Sequence, residues 1–465
     1  MTTEQPHVVI VGAYGSAGVA AAEELVDEDV TLTLIDDGEP GGGLCILRGC
    51  MPSKEVLSAG AHRYQARHDD RLTGAVPDVD LDAVVDTKDD HVLGFAEHRR
   101  AAVHDMAERE HVTFHHDTAR FVDDRTLVVD GERIEADYVV LGTGSALNVP
   151  DLPGIADTDW MGSRDVLDAT EFPDSGVVMG FGYVGVELVP YLSEAADMDL
   201  TVIEHDDRPL DSFHPVFGEE ILAQYREEFD VDIRTEVREE AVEETDDGGV
   251  RVRLDDGTTA EGEQLFLFTG RTPSYPAGIE ETRLTPDPEW VDPATMQARD
   301  DDHVFVVGDA MGERMLLHNA KEEGYAAGRN ALAVERGGDL ETYDPFSHQV
   351  MFSGLGVFPF ASLGLTAEAA RAAGHDVVTS QRDASSDGVF KTKDAARGAA
   401  RLVVDADDGT VLGYHGLHYH ADVMAKTMQV VLAAGMDVRE IPDRAYHPTT
   451  PEVLDGLFGD AAAEL

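Results

Sequence analysis

The chain of 465 residues is long enough for about three domains of ~150 residues each. It holds 93 acidic and 35 basic side chains, a formal net charge of −58 that is spread along the whole sequence. Such a surface excludes nucleic acid and anionic membrane as partners, and its self-repulsion indicates adaptation to a very salty cytoplasm. No stretch reads as a membrane span or a signal peptide, so we expect a cytoplasmic protein.

The N-terminal segment carries the pattern of a dinucleotide-binding fold. A short apolar strand runs into a glycine turn at Gly12, an alanine-rich helix and a second strand that ends at Asp36. Glycines in such a turn let the backbone approach a pyrophosphate at the helix N-terminus, and the acid accepts from a ribose hydroxyl. Tyr14 stands where the second glycine is expected and Ala17 where the third is expected. The pattern therefore predicts a shifted loop in which Gly15 takes over part of the second glycine's role.

The chain has only two cysteines, Cys45 and Cys50, which are separated by four residues and followed by Pro52-Ser53-Lys54. They can pair with each other, bind a metal or react with a substrate, but two ligands are too few for a structural zinc site. Pro52 suits the first turn of a helix. A helix N-terminus and a nearby lysine both lower a thiol pKa and favour the thiolate. The alternative is a pair of buried cysteines that behave as small apolar residues.

Residues 55–111 have a helical pattern, and short strands joined by an Asp-Gly hairpin follow. The last of these strands leads into Thr143 and Gly144, and residues 150–154 indicate a crossing between domains. The dinucleotide pattern then repeats as a complete glycine fingerprint, and its second strand ends at Glu204. A second Asp-Gly hairpin and a strand ending in Gly270-Arg271 complete the repeat, which predicts two dinucleotide-binding domains and two dinucleotides.

Residues 346–465 have the composition of a separate α+β domain. Within it, His415, His418 and His420 have a spacing that could bind a metal. They lie in a strand-and-loop pattern with only one nearby acid, Asp422, and we therefore interpret them as ordinary histidines. The sequence predicts no metal site.

Residues 42–54 match the pattern Gly-Gly-x-Cys-x4-Cys-x-Pro-Ser-Lys in full. This pattern resembles the redox-active disulfide of the class I pyridine nucleotide-disulfide oxidoreductases, which include dihydrolipoyl dehydrogenase, glutathione reductase and mercuric reductase. Gly308-Asp309 resembles the family's second FAD motif, and the segment around Leu317 resembles the helix near the flavin. His447 and Glu452 match the family's C-terminal His-Pro-Thr-x-x-Glu.

The resemblance covers nearly the whole chain and implies an α/β protein with two Rossmann-like domains, for FAD and NAD, and a C-terminal α+β dimerisation domain. The expected segments are 1–150 (FAD, with the redox disulfide), 151–272 (nicotinamide), 273–345 (FAD again) and 346–465 (dimerisation). The residues expected to bind the cofactors are Gly12, Gly15, Ala17, Asp36, Lys54, Thr143, Gly144, Gly180, Gly182, Gly185, Glu204, Gly270, Arg271, Gly308, Asp309 and Leu317.

The resemblance also implies roles for the reactive residues. Cys50 lies against the flavin and forms the charge-transfer thiolate, while Cys45 exchanges with the substrate. His447 reaches in from the other subunit of a homodimer as the acid–base group, and Glu452 fixes its tautomer and raises its basicity.

Four residues bear on the properties of the cofactors. Lys54 and Glu187 match the family's ion pair near the reactive flavin nitrogen, where they would tune the flavin. Glu204 favours NAD over NADP because a carboxylate repels a 2′-phosphate. Arg208, close by in sequence, argues in the other direction.

The substrate stays open between a dihydrolipoyl group and a small disulfide. No cysteine follows Cys50, so the extra C-terminal thiols of mercuric reductases are absent. Leu44, Phe358-Pro359 and residues 449–451 differ from typical dihydrolipoyl dehydrogenases. These departures keep a low-molecular-weight disulfide reductase such as bis-γ-glutamylcystine reductase as an alternative. A second alternative, a flavoprotein with a binding or structural role and little turnover, has only Tyr14 in its support.

Overall fold

The computed structural model describes residues 5–442 and 446–465. Within these ranges the α-helices are, in chain order, α1 (Ser16–Leu25), α2 (Gly43–Arg48), α3 (Cys50–His68), α4 (Leu81–Ala107), α5 (Ser163–Asp168), α6 (Tyr183–Ala196), α7 (Pro215–Glu228), α8 (Leu317–Glu335), α9 (Ala367–Ala372), α10 (Gly388–Thr392), α11 (Ala421–Ala433) and α12 (Glu452–Glu464).

The β-strands are, in chain order, β1 (His7–Val11), β2 (Thr31–Ile35), β3 (Val112–His115), β4 (Arg120–Asp123), β5 (Thr126–Val129), β6 (Glu132–Glu135), β7 (Tyr138–Leu141), β8 (Ser145–Leu147), β9 (Trp160–Gly162), β10 (Ser175–Met179), β11 (Asp199–Ile203), β12 (Asp232–Arg234), β13 (Glu239–Glu244), β14 (Val250–Leu254), β15 (Thr259–Gly262), β16 (Gln264–Leu267), β17 (Arg271–Pro273), β18 (Val304–Val306), β19 (His348–Met351), β20 (Phe360–Gly364), β21 (Val377–Asp383), β22 (Gly398–Asp405) and β23 (Val411–His418).

The first compact unit contains the chain up to Pro52, Asp86–Asn148 and Arg271–Pro345. Its central sheet has the strand order β18-β7-β1-β2-β3, with every neighbouring pair parallel. Strands of such a sheet are buried on both faces and read as apolar runs, as the core residues of β1 do. Strands β4-β5-β6 form a small antiparallel sheet and β8 pairs with β17. This is the predicted doubly wound α/β arrangement.

The second unit contains Ser53–Val85, Val149–Gly270 and Phe346–Leu465. Its first sheet repeats the parallel arrangement in the order β12-β11-β10-β16-β9. Strands β13-β14-β15 are antiparallel, as the second hairpin signal predicts. A further sheet, β19-β20-β23-β22-β21, is antiparallel and belongs to the α+β segment at the C-terminus. The predicted fold class is confirmed: α/β, with a repeated dinucleotide-binding fold and an α+β segment.

The chain passes between the units after Asn148, Gly270 and Pro345, close to the crossings expected from the sequence. It also passes to the second unit at Ser53, in the middle of the first expected segment. Side chains of α3 explain this difference, because Val56 and Tyr64 are buried in the same core as residues of α6 and α7. No helix in the described part of the chain is long and apolar enough to cross a membrane.

Candidate active site

The glycine loop of the second unit has the geometry of a dinucleotide fingerprint. Gly180 has φ +94°, and a Cβ there would lie 2.6 Å from the carbonyl oxygen of Phe268. A Cβ on Gly185 would lie 2.4 Å from the carbonyl oxygen of Gly180. Helix α6 begins after Gly182, its N-cap. The loop therefore forms a close-packed backbone cradle at a helix N-terminus, which fits a pyrophosphate.

The loop of the first unit forms the same cradle with one additional residue. Gly12 also has φ +94°, and its Cβ would lie 2.3 Å from the carbonyl oxygen of Gly142. A Cβ on Gly18 would lie 2.1 Å from the carbonyl oxygen of Gly12, and α1 begins after its N-cap Gly15. Gly15 and Gly18 are thus the structural counterparts of Gly182 and Gly185.

This register corrects the expectation that Tyr14 replaces the second glycine and Ala17 the third. The second glycine position is filled by Gly15, as the shifted loop anticipated, and the third by Gly18. The extra residue lies between Gly12 and Gly15. Ala17 instead packs beside Gly308: a Cβ added to Gly308 would lie 3.3 Å from the Cβ of Ala17.

Each of the two predicted acids, Asp36 and Glu204, accepts a hydrogen bond from the backbone of the glycine loop in its own unit. Asp36 accepts hydrogen bonds from the backbone N–H groups of Tyr14 and Gly38, both at 2.8 Å. Glu204 accepts in the same way from Phe181 and from the residue two positions after the acid, both at 3.0 Å. Burial raises the pKa of both carboxyls, and these N–H donors oppose the shift. A carboxylate has about four acceptor positions, so each acid can also accept from a ribose hydroxyl.

The Arg208 side chain is held by contacts within the protein. Its side-chain Cδ lies 2.9 Å from where a Cβ on Gly218 would be, its Nε is buried without a hydrogen-bond partner, and its guanidinium pairs with Asp207. The side chain is thus packed against α7 and already paired with an acid.

The Tyr14 side chain is buried at the edge of the first loop. Its hydroxyl lies 2.8 Å from Nε2 of His104 on α4, and the two rings are nearly parallel. Burial is the main cause that raises its pKa to about 12. Arg99, also on α4, donates from Nη1 to the Tyr14 carbonyl oxygen at 3.2 Å. Tyr14 therefore joins α4 to the loop through both its ring and its backbone.

The two cysteines lie on consecutive helices of which the first is very short. Cys45 is half-buried in α2, and Cys50 is exposed as the first residue of α3. Gly43 has φ +74°, and a Cβ there would lie 3.0 Å from the Cα of Gly15, so the Gly-Gly of the motif brings α2 against the first glycine loop. The N-terminal position on the 19-residue α3 favours the thiolate of Cys50.

The second FAD motif is held by a chain of hydrogen bonds. Ser145 donates from its hydroxyl to Oδ2 of Asp309 at 2.5 Å, and Arg271 donates from Nε to the same hydroxyl at 2.7 Å. Arg271 was expected in the nicotinamide segment 151–272, but it lies in the first unit and reaches the second FAD motif through Ser145. Ser145 was not predicted; its only sequence signal is its position directly after Thr143-Gly144.

Glu323 on α8 was also not predicted. Its side chain is fully buried, and Oε2 accepts from the Gly308 N–H at 2.8 Å. Oε1 is buried without a hydrogen-bond partner. Burial raises the pKa of this carboxyl to about 7; the Gly308 N–H and Arg314 oppose that shift. The group therefore supports the backbone that carries Asp309.

The structure brings Lys54 and Glu187 together. Lys54 Nζ lies 2.7 Å from Glu187 Oε2, and the other carboxylate oxygen accepts from the Phe352 N–H at 3.0 Å. The ammonium also lies 4.5 Å from the centroid of the Phe352 ring. The cation is thus held by a carboxylate and an aromatic face, and Phe352 is a third member that the sequence pattern did not indicate.

The structure also brings His447 and Glu452 together. Nδ1 of His447 lies 3.0 Å from Glu452 Oε1, which also accepts from the Thr449 N–H at 3.0 Å. These two contacts lower the pKa of Glu452, with the His447 hydrogen bond as the larger cause. The imidazole is 76% exposed, which leaves Nε2 accessible for a proton acceptor or donor.

The other histidines of this segment bond to protein groups. His415 lies 2.8 Å from the Ser362 hydroxyl and 3.1 Å from the Leu365 carbonyl oxygen. His418 lies 2.9 Å from the Tyr414 hydroxyl. Burial lowers the pKa of both to about 4. No group of three or more potential metal ligands was found among the residues that the structure describes.

Comparisons with known proteins identify the family of the chain. Residues 6–324 match the family model of the pyridine nucleotide-disulphide oxidoreductases, and residues 350–457 match the dimerisation domain of the same family. The chain therefore belongs to this family of flavoprotein oxidoreductases. It is an FAD- and NAD-dependent disulfide oxidoreductase, and the glycine cradles, Asp36 and Glu204 fit the two dinucleotides.

The relatives extend over the whole chain. Dihydrolipoyl dehydrogenase of Halobacterium salinarum is 28% identical over 98% of this chain and 97% of its own length. Mercuric reductase of Shigella flexneri is 27% identical over 97% of this chain and 79% of its own length. The HOCl-induced flavoprotein disulfide reductase RclA from Escherichia coli has the same fold, with a TM-score of 0.81 and 21% identity, over 97% of this chain and 99% of that one.

Proposed function

We propose that this enzyme oxidises dihydrolipoyl groups with NAD, through a redox-active disulfide formed by Cys45 and Cys50. The observation that carries the proposal is the position of the two cysteines: one lies at the N-terminus of α3, and the other lies on α2, which packs against the first glycine loop. Relatives that span the chain and are named dihydrolipoyl dehydrogenases support this substrate.

The residues that would hold FAD are those of the first unit. The Gly12–Gly18 cradle would hold the pyrophosphate, Asp36 a ribose, and Asp309 the ribityl chain. When bound, FAD supplies the two-electron couple between the nicotinamide and the cysteine pair. Thr143, Gly144 and Leu317 are proposed to line the same site.

The residues that would hold NAD are those of the second unit. Gly180, Gly182 and Gly185 form its cradle, and Glu204 faces the ribose. Because Arg208 is packed against Gly218 and paired with an acid, the carboxylate of Glu204 decides the specificity, and we propose NAD rather than NADP.

The proton of the dithiol is assigned to His447. Glu452 would hold the proton on Nδ1, so that Nε2 is the basic atom facing outward. Nε2 would take a proton from the dihydrolipoyl thiol as its thiolate attacks Cys45, and would return it to the leaving group in the reverse direction. We propose, following the family's dimerisation domain, that the histidine serves the cysteines of the partner subunit in a homodimer.

The role of Lys54 and Glu187 is proposed to be electrostatic. A positive charge held beside a flavin stabilises its reduced, anionic form, and Glu187 with Phe352 limits the positions that the ammonium can take. Replacing Lys54 with Met should therefore change the rate of flavin reduction by NADH before any thiol chemistry occurs.

The test separates the two cysteines. Cys45→Ser should leave the Cys50 thiolate beside the oxidised flavin and give a long-wavelength absorbance without any reductant. Cys50→Ser should keep a Cys45 thiol that is readily alkylated but should give no such band. Both variants should lose oxidation of dihydrolipoamide, since exchange needs an attacking and a resolving thiol. Full turnover in both would overturn the proposal; a band in the Cys50 variant alone would reverse the assignment.

A further inference from the structure

Arg48 lies on the same side of α2 as Cys45. The two residues are three positions apart on this helix, a spacing that places Cβ atoms about 5–6 Å apart. Cys45 is half-buried, whereas Arg48 is exposed at the last residue of the helix. An approaching molecule that reaches the sulfur of Cys45 therefore also comes within reach of the Arg48 guanidinium.

A second arginine lies near the start of α2. Ala96 of α4 lies 3.5 Å from where a Cβ on Gly42 would be, directly before α2 begins. Arg99, one turn later on α4, donates to the Tyr14 carbonyl oxygen, and that oxygen lies 3.6 Å from where a Cβ on Gly43 would be. Burial is the main cause that lowers the pKa of Arg99, and the nearby Glu23 opposes that shift.

A third arginine adds to this positive region. Arg271 is half-buried and fixed to Ser145 by bonds from Nε at 2.7 Å and Nη2 at 2.5 Å. Burial is the main cause that lowers its pKa; Asp309 opposes the shift and the nearby Arg48 adds to it. Within the described part of the chain, no ion pair joins Arg48 or Arg99 to a carboxylate. Arg99 and Arg271 are bound to the loops proposed to hold FAD, whereas Arg48 is exposed, so its guanidinium is the cation near Cys45 that an anionic substrate can reach.

We propose that the exchange site at Cys45 recognises small disulfides that carry carboxylates close to their sulfur atoms, and that Arg48 is the residue that binds the carboxylate. This inference rests on the proposed function, in which Cys45 is the exchange thiol. A guanidinium presents a rigid fork of N–H donors that matches a carboxylate in two parallel hydrogen bonds. A direct contact of this kind persists in concentrated salt, where attraction at longer distance is screened.

The exchange is balanced by electrons from NADH. In the reduced enzyme, the Cys45 thiolate attacks one sulfur of R–S–S–R, forms Cys45–S–S–R and expels R–S⁻, which takes up a proton. The Cys50 thiolate then attacks the Cys45 sulfur, re-forms the Cys45–Cys50 disulfide and releases the second R–S⁻. Each cycle thus consumes one NADH and yields two thiols.

The test compares three small disulfides of different charge: 3,3′-dithiodipropionate (dianion), bis(2-hydroxyethyl) disulfide (neutral) and cystamine (dication). NADH-dependent kcat/KM should rank them in that order in the wild-type holoenzyme at constant molar salt. Arg48→Gln should lower kcat/KM for the dianion by about tenfold and change the neutral compound by less than about twofold. Arg48→Lys should retain part of the preference, because it keeps the charge and loses the fork. Arg371→Gln, at an exposed arginine on α9, should leave the ranking unchanged.

A second measurement does not depend on turnover. The dithiothreitol-reduced enzyme should be alkylated faster by iodoacetate, relative to iodoacetamide, in the wild type than in the Arg48→Gln variant. An equal ratio in both proteins, or an equal loss of kcat/KM for all three disulfides in the variant, would overturn the proposal, because Arg48 would then act only on the thiol or on folding. Absence of turnover with every disulfide and with dihydrolipoamide would instead contradict the proposed function.

Discussion

Replacing Glu323 with Gln should stabilise the enzyme in alkaline solution and leave its stability unchanged in acid. The folded protein raises the pKa of this carboxyl from 4.5 to about 7, chiefly because the group is fully buried. The difference of about 2.5 units corresponds to a penalty of about 3 kcal/mol for the ionised form, at ~1.36 kcal/mol per unit. Gln can still accept from the Gly308 N–H but cannot ionise, so it avoids this penalty.

The pH range follows from the two pKa values. Below pH 4.5 the carboxyl is neutral in the folded and in the unfolded chain, so its burial as a charged group does not lower the stability of the wild type. Between pH 4.5 and about 7, the Glu323 carboxyl is ionised in the unfolded chain but still protonated in the folded one. The stability of the wild type therefore falls as the pH rises through this range. Above that pH the full penalty applies, and the Gln variant should exceed the wild type by up to about 3 kcal/mol.

Urea unfolding of the wild type and of Glu323→Gln at pH 4.5 and pH 8.5, in constant molar salt, measures this difference. Glu322→Gln is the matched control. Glu322 is exposed and adjacent to Glu323 on α8, so this substitution removes the same charge from the same helix without affecting a buried group. A gap between variant and wild type that is the same at both pH values would refute the reasoning. It would mean that Glu323 is ionised throughout, with a partner such as Arg314 that compensates its burial.

Four further outcomes are expected. Transfer from molar to millimolar salt should lower the melting temperature, because the Debye length grows from ~3 Å to ~30 Å around a charge of −58; an unchanged temperature would contradict the salt hypothesis. Glu204 should give a kcat/KM for NADH at least about tenfold above that for NADPH, about 1.4 kcal/mol, and a preference for NADPH would show that another base outweighs it. His447→Gln should slow dithiol exchange by roughly 10²–10⁴-fold and leave flavin reduction by NADH intact; equal loss of both steps would indicate a structural role. Thr450→Val should cost about 1 kcal/mol of stability by removing its 3.2 Å bond to His420, whereas an unchanged unfolding midpoint would show that the bond contributes nothing.

The fold could be predicted because its signals are local and repeated. Each half of the sequence places an apolar strand, a glycine turn, a helix and a strand with a terminal acid in the same order, and parallel pairing of such units is the usual result. The Asp-Gly dipeptides at 130–131 and 256–257 also form the predicted hairpins, at β5–β6 and β14–β15. The pair Lys54–Glu187 could be anticipated only from family motifs, because the two residues are distant in the sequence. His447 and Glu452 lie close together in the sequence, and a family motif indicated their roles.

The missed residues depend on contacts that join distant parts of the sequence. Ser145 bonds to Asp309, and Glu323 supports Gly308 from a helix that begins after the motif. Phe352 completes the surroundings of Lys54 from the C-terminal segment. Each contact requires a strand or helix to be placed beside another before the pair can be recognised, and the pattern of apolar residues does not provide that placement.

The first glycine loop misled the sequence reading for a different reason. Both acids follow the first glycine of their loops by the same interval, which suggests that the loops are equal in length. The hydrogen bonds show that they are not: Glu204 accepts from the residue directly after Gly180, whereas Asp36 accepts from Tyr14, two residues after Gly12. Ala13 is therefore the additional residue, and Tyr14 is the counterpart of Phe181.

This assignment bears on function. With Ala13 set aside, the first loop reads Gly12-Tyr14-Gly15-Ser16-Ala17-Gly18, a complete Gly-x-Gly-x-x-Gly fingerprint like that of the second loop. The tyrosine then occupies a position where the second loop also has a buried aromatic residue. It does not replace a glycine that must approach the pyrophosphate. The departure at Tyr14 was the only sequence support for a flavoprotein without turnover, and the geometry of the loop removes that support.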